Sequence, residues 1–228
     1  MPDTGRPLSR PRRALDQDRI VAAALALVDE DGIEHLSMRR LARRLDTAPM
    51  SLYRHVAGKD ALLALVVEAL TGQLGPADPD GPWDAVVADV FRRVRRLLAA
   101  HPGVAVHLAD ETMVTPATVE VSEVALEALR RAGLGTVEAA HAFTSLWTFT
   151  VGSALVEHMV FTAAPGPGGA EDRRSRVSGR VAEVAAGRYP RLVEFAPHWS
   201  RIDGDAAFEA GLGLLLDAVR LRTAVPDG

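Results

Sequence analysis

The sequence predicts an all-α protein: an N-terminal three-helix helix-turn-helix domain followed by a larger C-terminal helical domain. Three observations predict it. Apolar residues recur every three or four positions almost throughout, as in Ile20, Ala24, Leu27 and Val28 or Leu62, Leu63, Val66, Val67 and Leu70. No stretch shows the strict alternation of a half-buried strand. The apolar register also breaks at "GQLGPADPDGP", residues 72–82, where glycine and proline punctuate the chain, and longer helices begin beyond it.

The first helix is expected from about Asp16 to Asp31, with Asp16 as its cap and Gly32 suited to a left-handed position past its end. Ser37 precedes a second, short helix and Thr47 a third, and each hydroxyl is placed to accept a backbone N–H. Pro49 falls in the first turn of the third helix, where its missing N–H costs little. A fourth apolar helix, ending near Leu70, completes a domain at residues 15–72. The tail at residues 1–14 is proline- and arginine-rich. Its Arg6, Arg10, Arg12 and Arg13 suit either a disordered basic tail or an arm lying in a minor groove.

The second domain is placed at residues 83–223. Trp83, Val87, Val90, Val94, Leu97 and Leu98 mark one helix, and residues 116–132 a shorter one. Residues 136–161 form a run apolar on most sides, which predicts a helix packed against several neighbours. "AAPGPGG", residues 163–169, is a break, a polar helix follows near 171–186, and the last helix spans about 203–222. Its stripe of Phe208, Leu212, Leu215, Leu216 and Val219 is interrupted by Gly211 and Gly213, while Gly152 and Ser153 interrupt the 136–161 helix. Glycine costs about 1 kcal/mol inside a helix, so close helix approach is the expected compensation. The two helices suit either a four-helix bundle across a twofold axis or the interior of a single chain.

Composition narrows the chemistry. The 228 residues are 48% hydrophobic and 25% charged, as in a globular protein, and contain no cysteine. Disulfides, thiolate catalysis and cysteine-based metal centres are therefore excluded, and a cytoplasmic location is the expectation. Neither a signal peptide nor a membrane span is visible. The net charge of −4 is unevenly spread: residues 1–60 carry 11 basic and 9 acidic side chains, leaving 15 basic and 21 acidic for the rest. Residues 37–59 hold six basic groups (Arg39, Arg40, Arg43, Arg44, Arg54 and Lys59) against one acidic, Asp46. A basic module on an acidic body points to a polyanion contact at one end.

On a helix, Met38, Leu41, Ala42 and Leu45 share one side and the four arginines of this segment occupy the rest. After a turn at Asp46 and Thr47, Leu52 and Val56 face the core and leave Pro49, Met50, Ser51, Tyr53 and Arg54 outward. That is a helix-turn-helix, whose second helix suits a major groove. Thr47, Ser51 and the N–H groups at the start of the third helix are placed for phosphate oxygens, with Tyr53, His55 and Lys59 nearby. Arg39 has the fork that pairs with a guanine edge. Taken alone, Tyr53 also fits a core aromatic and His55 a satisfied helix-end histidine.

Residues 19–70 resemble, along their whole length, the DNA-binding domain of the tetracycline-repressor family of bacterial transcription regulators. "GIEHLSMRRLA" and "SLYRHVAGKDAL" carry the resemblance most specifically. It implies a homodimer whose two heads enter successive major grooves of double-stranded operator DNA. It implies base-reading roles for Arg39, Pro49, Met50 and Ser51, and phosphate contacts for Ser37, Tyr53, His55 and Lys59. Asp46 departs from the family's usual glycine in the turn, though aspartate tolerates the left-handed region better than most residues.

The rest is similar to the effector-binding and dimerisation half of the classical branch, through "VAVHLADE" (104–111), "AAHAF" (139–143) and "TFTVGSALVEH" (148–158). His107 falls where that branch has a histidine for the drug's magnesium ion. The end of the fourth helix lacks the companion histidine, and Val156 stands at the acidic position with Glu157 one place on. His107, Asp110 and Glu111 lack the spacing of a metal site, so no metal and no cofactor are expected. The effector pocket is expected to be largely apolar, with His107, Met113, Phe143, Trp147 and Thr150 as lining residues, each of which also fits plain core. The expected partners are operator DNA, an unidentified small-molecule effector and a second copy of the chain, with no membrane. A helical enzyme and a structural dimer are the alternatives. The sequence holds no phosphate loop, nucleophile elbow or HExxH to support the first, and salt-dependent DNA binding separates both from a regulator.

Overall fold

The computed structural model describes residues 15–75, 78–107, 114–161, 169–199 and 204–224. Among these residues every regular element is helical. In chain order they are α1 (Gln17–Asp31), a 3-10 turn (Ile33–His35), α2 (Met38–Arg44), α3 (Pro49–Leu52) and α4 (Lys59–Gly72), then α5 (Trp83–Ala100), α6 (Pro102–His107) and α7 (Pro116–Arg131). The chain continues with α8 (Thr136–Phe161), α9 (Gly169–Ala185), α10 (Pro190–Trp199) and α11 (Gly204–Ala224).

Local chemistry sets the starts and turns. The Asp16 carboxylate accepts the Arg19 N–H at 2.9 Å to begin α1, and Gly32, at φ 86°, ends it. Ser37 caps α2 by accepting the Arg40 N–H at 3.3 Å. Thr47 does not cap α3: Ala48 holds the cap position without a side-chain bond, and the Thr47 N–H instead donates to the Ala42 carbonyl at 3.0 Å. The turn carries Asp46 at φ 50°, in the left-handed region where aspartate was expected. Regular helix in α3 spans only four residues, and single bonds such as Val56 N–H to Leu52 O, at 2.9 Å, extend its curl to Val56.

Two apolar clusters hold the chain together. The first joins α1–α4 around Ile20, Leu41, Leu52, Leu62 and Val66, and takes in Val94 and Leu98 of α5, Val104 and Ala105 of α6 and Ala154 of α8. The second packs α5, α7, α8 and α11 around Phe91, Leu129, Leu146, Phe208 and Leu212. Trp147 and Val121 touch both clusters, so the reading head is continuous with the body.

The long helices differ from expectation in what covers them. α8 is not enclosed: Val137 and Val156 are more than 60% exposed, and His141, Thr144, Ser145 and Thr148 also face outward. On α11, Leu214 and Leu221 are over 70% exposed, opposite the buried stripe of Phe208, Leu212, Leu216 and Val219. Gly211 does mark a close approach, since a Cβ there would meet the Phe149 ring at 2.3 Å. Gly152 and Gly213 face open space instead. Three elements had no sequence signal, namely the 3-10 turn, α6 and α10. The first two are too short to show a period, and α10 carries an internal proline, Pro197.

Candidate DNA interface and effector cavity

The buried side of α2 is formed by Met38, Leu41 and Ala42, and that of α3 by Leu52 with Val56 just beyond it. The sequence-predicted residues lie on these helices, in the turn between them and at the caps and starts of α2 and α4. Arg39, Pro49, Met50, Tyr53, His55 and Lys59 are exposed, and Ser37, Thr47 and Ser51 are partly so. Met50 is 74% and Tyr53 48% exposed, so Tyr53 is not a core aromatic. The Ser37 oxygen already accepts the capping N–H, which leaves its O–H to donate.

Acidic side chains of α1 reach two of the arginines. Arg44 makes a two-bond pair with Glu30, at 2.7 Å on each oxygen, and Arg40 pairs with Asp31. The Arg44 hydrogen bonds hold the Glu30 carboxyl below its ordinary range, and Glu30 in turn raises the Arg44 guanidinium.

In the body, a cavity of about 490 Å³ lies between the end of α4, α5 and α7. Its wall is mostly apolar (Leu74, Pro79, Val90, Ala117, Val121, Val124), with Thr71, Arg93 and Glu120 as polar groups. Arg93 donates to the Leu74 carbonyl at 2.8 Å and pairs with Asp89 at 2.7 Å, while Glu68 of α4 accepts the Ala117 N–H at 2.9 Å. These bonds hold the C-terminal end of α4 to both helices of the cavity wall.

Of the five pocket residues chosen from sequence, Phe143, Trp147 and Thr150 do not line this cavity. Phe143 and Trp147 stack with ring centres 6.2 Å apart, and Phe91 lies 6.0 Å from Phe143. Thr150 is fully buried, with its hydroxyl donating to the Leu146 carbonyl at 2.8 Å. His107 is the last residue of α6, and Met113, Asp110 and Glu111 lie outside the described residues. Cavity residues such as Val121 and Leu74 carry no chemical signature in the sequence, so only tertiary placement reveals them. Glu157, the displaced acid, pairs with the buried Arg95, which also lies 3.6 Å from Asp205 and 5.7 Å from the Phe208 ring centre. Among the described residues no three potential metal ligands come together.

Residues 20–66 match the profile of the bacterial regulatory proteins of the tetR family, and residues 75–222 that of the tetracyclin repressor-like C-terminal domain. The chain belongs to the tetR family. The HTH-type transcriptional repressor DrrR1 of Streptomyces coeruleorubidus is 34% identical over 99% of this chain and 85% of its own length. The class A tetracycline repressor of transposon 1721, from Escherichia coli, is 30% identical over 92% of this chain and 93% of its own. Apo ActR from Streptomyces coelicolor superposes with a TM-score of 0.80 at 31% identity, covering 93% of this chain and 98% of that one. ActR solved with actinorhodin gives 0.79 at the same 31% identity, covering 93% and 100%.

This tetR-family chain is thus a DNA-binding transcriptional regulator, and the family works by binding, not by catalysis. Among the described residues no helix is long and apolar enough to cross a membrane.

Proposed function

We propose that the chain acts in the cytoplasm as a homodimeric repressor that a small organic effector releases from its operator. The observation that carries this is the placement of α4. Its first residue, Lys59, belongs to the basic head, while Thr71 and Gly72 at its other end line the cavity. A helix of 14 residues is about 21 Å long, so a ligand that shifts one end moves the other. Arg93 and Glu68 hold the cavity end of α4 to α5 and α7, the two helices a ligand would press apart.

Ser37, Arg39, Thr47, Pro49, Met50, Ser51, Tyr53, His55 and Lys59 are the proposed DNA contacts, supported by the exposure of all nine, in full or in part, on and around the helix-turn-helix. The effector is assigned to the 490 Å³ cavity in preference to the surroundings of Phe143, Trp147 and Thr150, because those side chains are engaged in packing and intrahelical bonding. The cavity volume lies in the usual range for small-molecule sites, roughly 300–1,000 Å³. ActR, whose solved complexes contain actinorhodin and (S)-DNPA, supports an organic ligand.

The second copy is assigned to the outward faces of α8 and α11. Ala207, Ala210, Leu214, Ala218 and Leu221 recur along α11 at three- and four-residue steps, and all are exposed. Gly152 and Gly213 have open space where a Cβ would stand, which leaves room for the backbone of a neighbouring helix. A twofold dimer presents two heads to half-sites about 34–36 Å apart.

The test is fluorescence anisotropy against duplexes tiling the DNA beside the protein's own gene, at two salt concentrations and with competitor DNA. Tight, salt-sensitive binding to one tile supports the reading and supplies the probe for an effector screen. Absence of binding at low salt overturns the assigned interface.

A further inference from the structure

The outward side of α2 is divided in a way that its run of four arginines does not reveal. Arg40 and Arg44 are tied to Asp31 and Glu30 at the end of α1, the latter by two bonds. Arg39 and Arg43 are exposed, and among the described residues neither side chain makes a hydrogen bond or an ion pair. They stand four residues apart, one above the other on one face of the helix.

We propose that Arg43 is a further DNA-contacting residue, taking a backbone phosphate beside the base-reading Arg39, and that Glu30 and Asp31 withhold Arg44 and Arg40 from the DNA. The proposal rests on the family's DNA binding and adds to the nine contacts above. A phosphate that approached Arg44 would have to displace a carboxylate already seated in the guanidinium fork, and would meet the negative charge of Glu30 and Asp31 while doing so. At Arg43 it meets an unoccupied fork. Long helical side chains lean toward the N-terminus, so Arg43 reaches along the helix toward Arg39. Arg43 also sits just ahead of the Asp46 turn, at the junction with the helix that presents Met50. The two acids therefore limit how many phosphates the head neutralises, and with that its indiscriminate attraction to DNA.

The salt dependence of binding to a labelled mixed-sequence duplex counts these phosphates without knowledge of the operator. The slope of log K against log salt changes by about 0.9 for each phosphate contact. With the full-length protein, Arg43→Gln is expected to flatten the slope by about 0.9 for each engaged head, and Arg44→Gln to leave it unchanged. The double variant Glu30→Gln, Asp31→Asn releases two arginines and is expected to steepen the slope, tightening binding to mixed-sequence DNA at low salt. That gain does not depend on a weakened variant staying folded. An unchanged slope in Arg43→Gln, a loss in Arg44→Gln equal to that in Arg43→Gln, or no steepening in the double variant overturns the proposal. Salt-independent binding by the unsubstituted protein would instead overturn the DNA interface itself.

Discussion

Gly103 of α6 lies against Ile33 of the 3-10 turn so closely that a Cβ on Gly103 would stand 2.3 Å from the Ile33 Cγ2. The same Cβ would meet Glu34 Oε2 at 2.7 Å, so the body touches the head here through the absence of a side chain. Gly103→Ala is expected to push α6 from the 3-10 turn and cost about 1–3 kcal/mol, the usual range for overpacking. Chemical denaturation measures the loss. A double variant with Ile33→Ala that loses less than the sum of the two single losses would show that this contact is its source.

Arg95 is 4% exposed and among the described residues its Nε has no hydrogen-bond partner, so its charge is balanced chiefly by Glu157. Removing the acid strands a buried cation. Glu157→Gln is expected to cost about 2–3 kcal/mol, less than the 3–5 kcal/mol of a fully enclosed pair because Glu157 is one-third exposed. Arg95→Met removes charge and orphaned donor together while keeping contact with Phe208, and should cost less. Equal losses in urea midpoint would refute that account.

Acid should loosen α11. Glu209 accepts three hydrogen bonds from Arg92, at 2.7–3.1 Å, and Asp84 pairs with Arg220. These arginine bonds hold both carboxyls below their ordinary values. A depressed folded pKa gives stability that is present above the unfolded value of about 4 and is lost as pH falls through the folded one. Melting temperature is therefore expected to fall below about pH 4, with a shallower fall in the Asp84→Asn, Glu209→Gln variant.

Leu214 tests the assembly. A charge on this exposed leucine adds nothing to the strain of a single chain, but it would be buried on a dimer face. Leu214→Asp is expected to keep its helical content, sediment as a monomer and lose operator affinity. A stable dimer in sedimentation would remove α11 from the interface.

Much of the fold is visible along the chain because its causes are local. Asp16 and Ser37 cap the helices they precede, Asp46 takes the left-handed turn, and the apolar periods of α1, α4, α5 and α11 fall on their buried sides. Thr47 is not the cap because α3 starts one residue later than expected, with Ala48 in the cap position, while the Thr47 N–H closes the turn on the Ala42 carbonyl. Thr150, expected from sequence as a pocket residue, donates its hydroxyl to the Leu146 carbonyl one turn back, a bond that the sequence does not reveal.

Helix periods, capping residues and the basic run around α2 are properties of neighbours in the chain, and the sequence by itself determined the all-α architecture, the reading head and the residues it turns outward. Tertiary structure alone decided which arginines are neutralised, since Glu30 and Arg44 stand 14 positions apart and meet only when α1 packs on α2. It also decided where a cavity opens, because that depends on the volume left between α4, α5 and α7 and not on the chemistry of any one side chain.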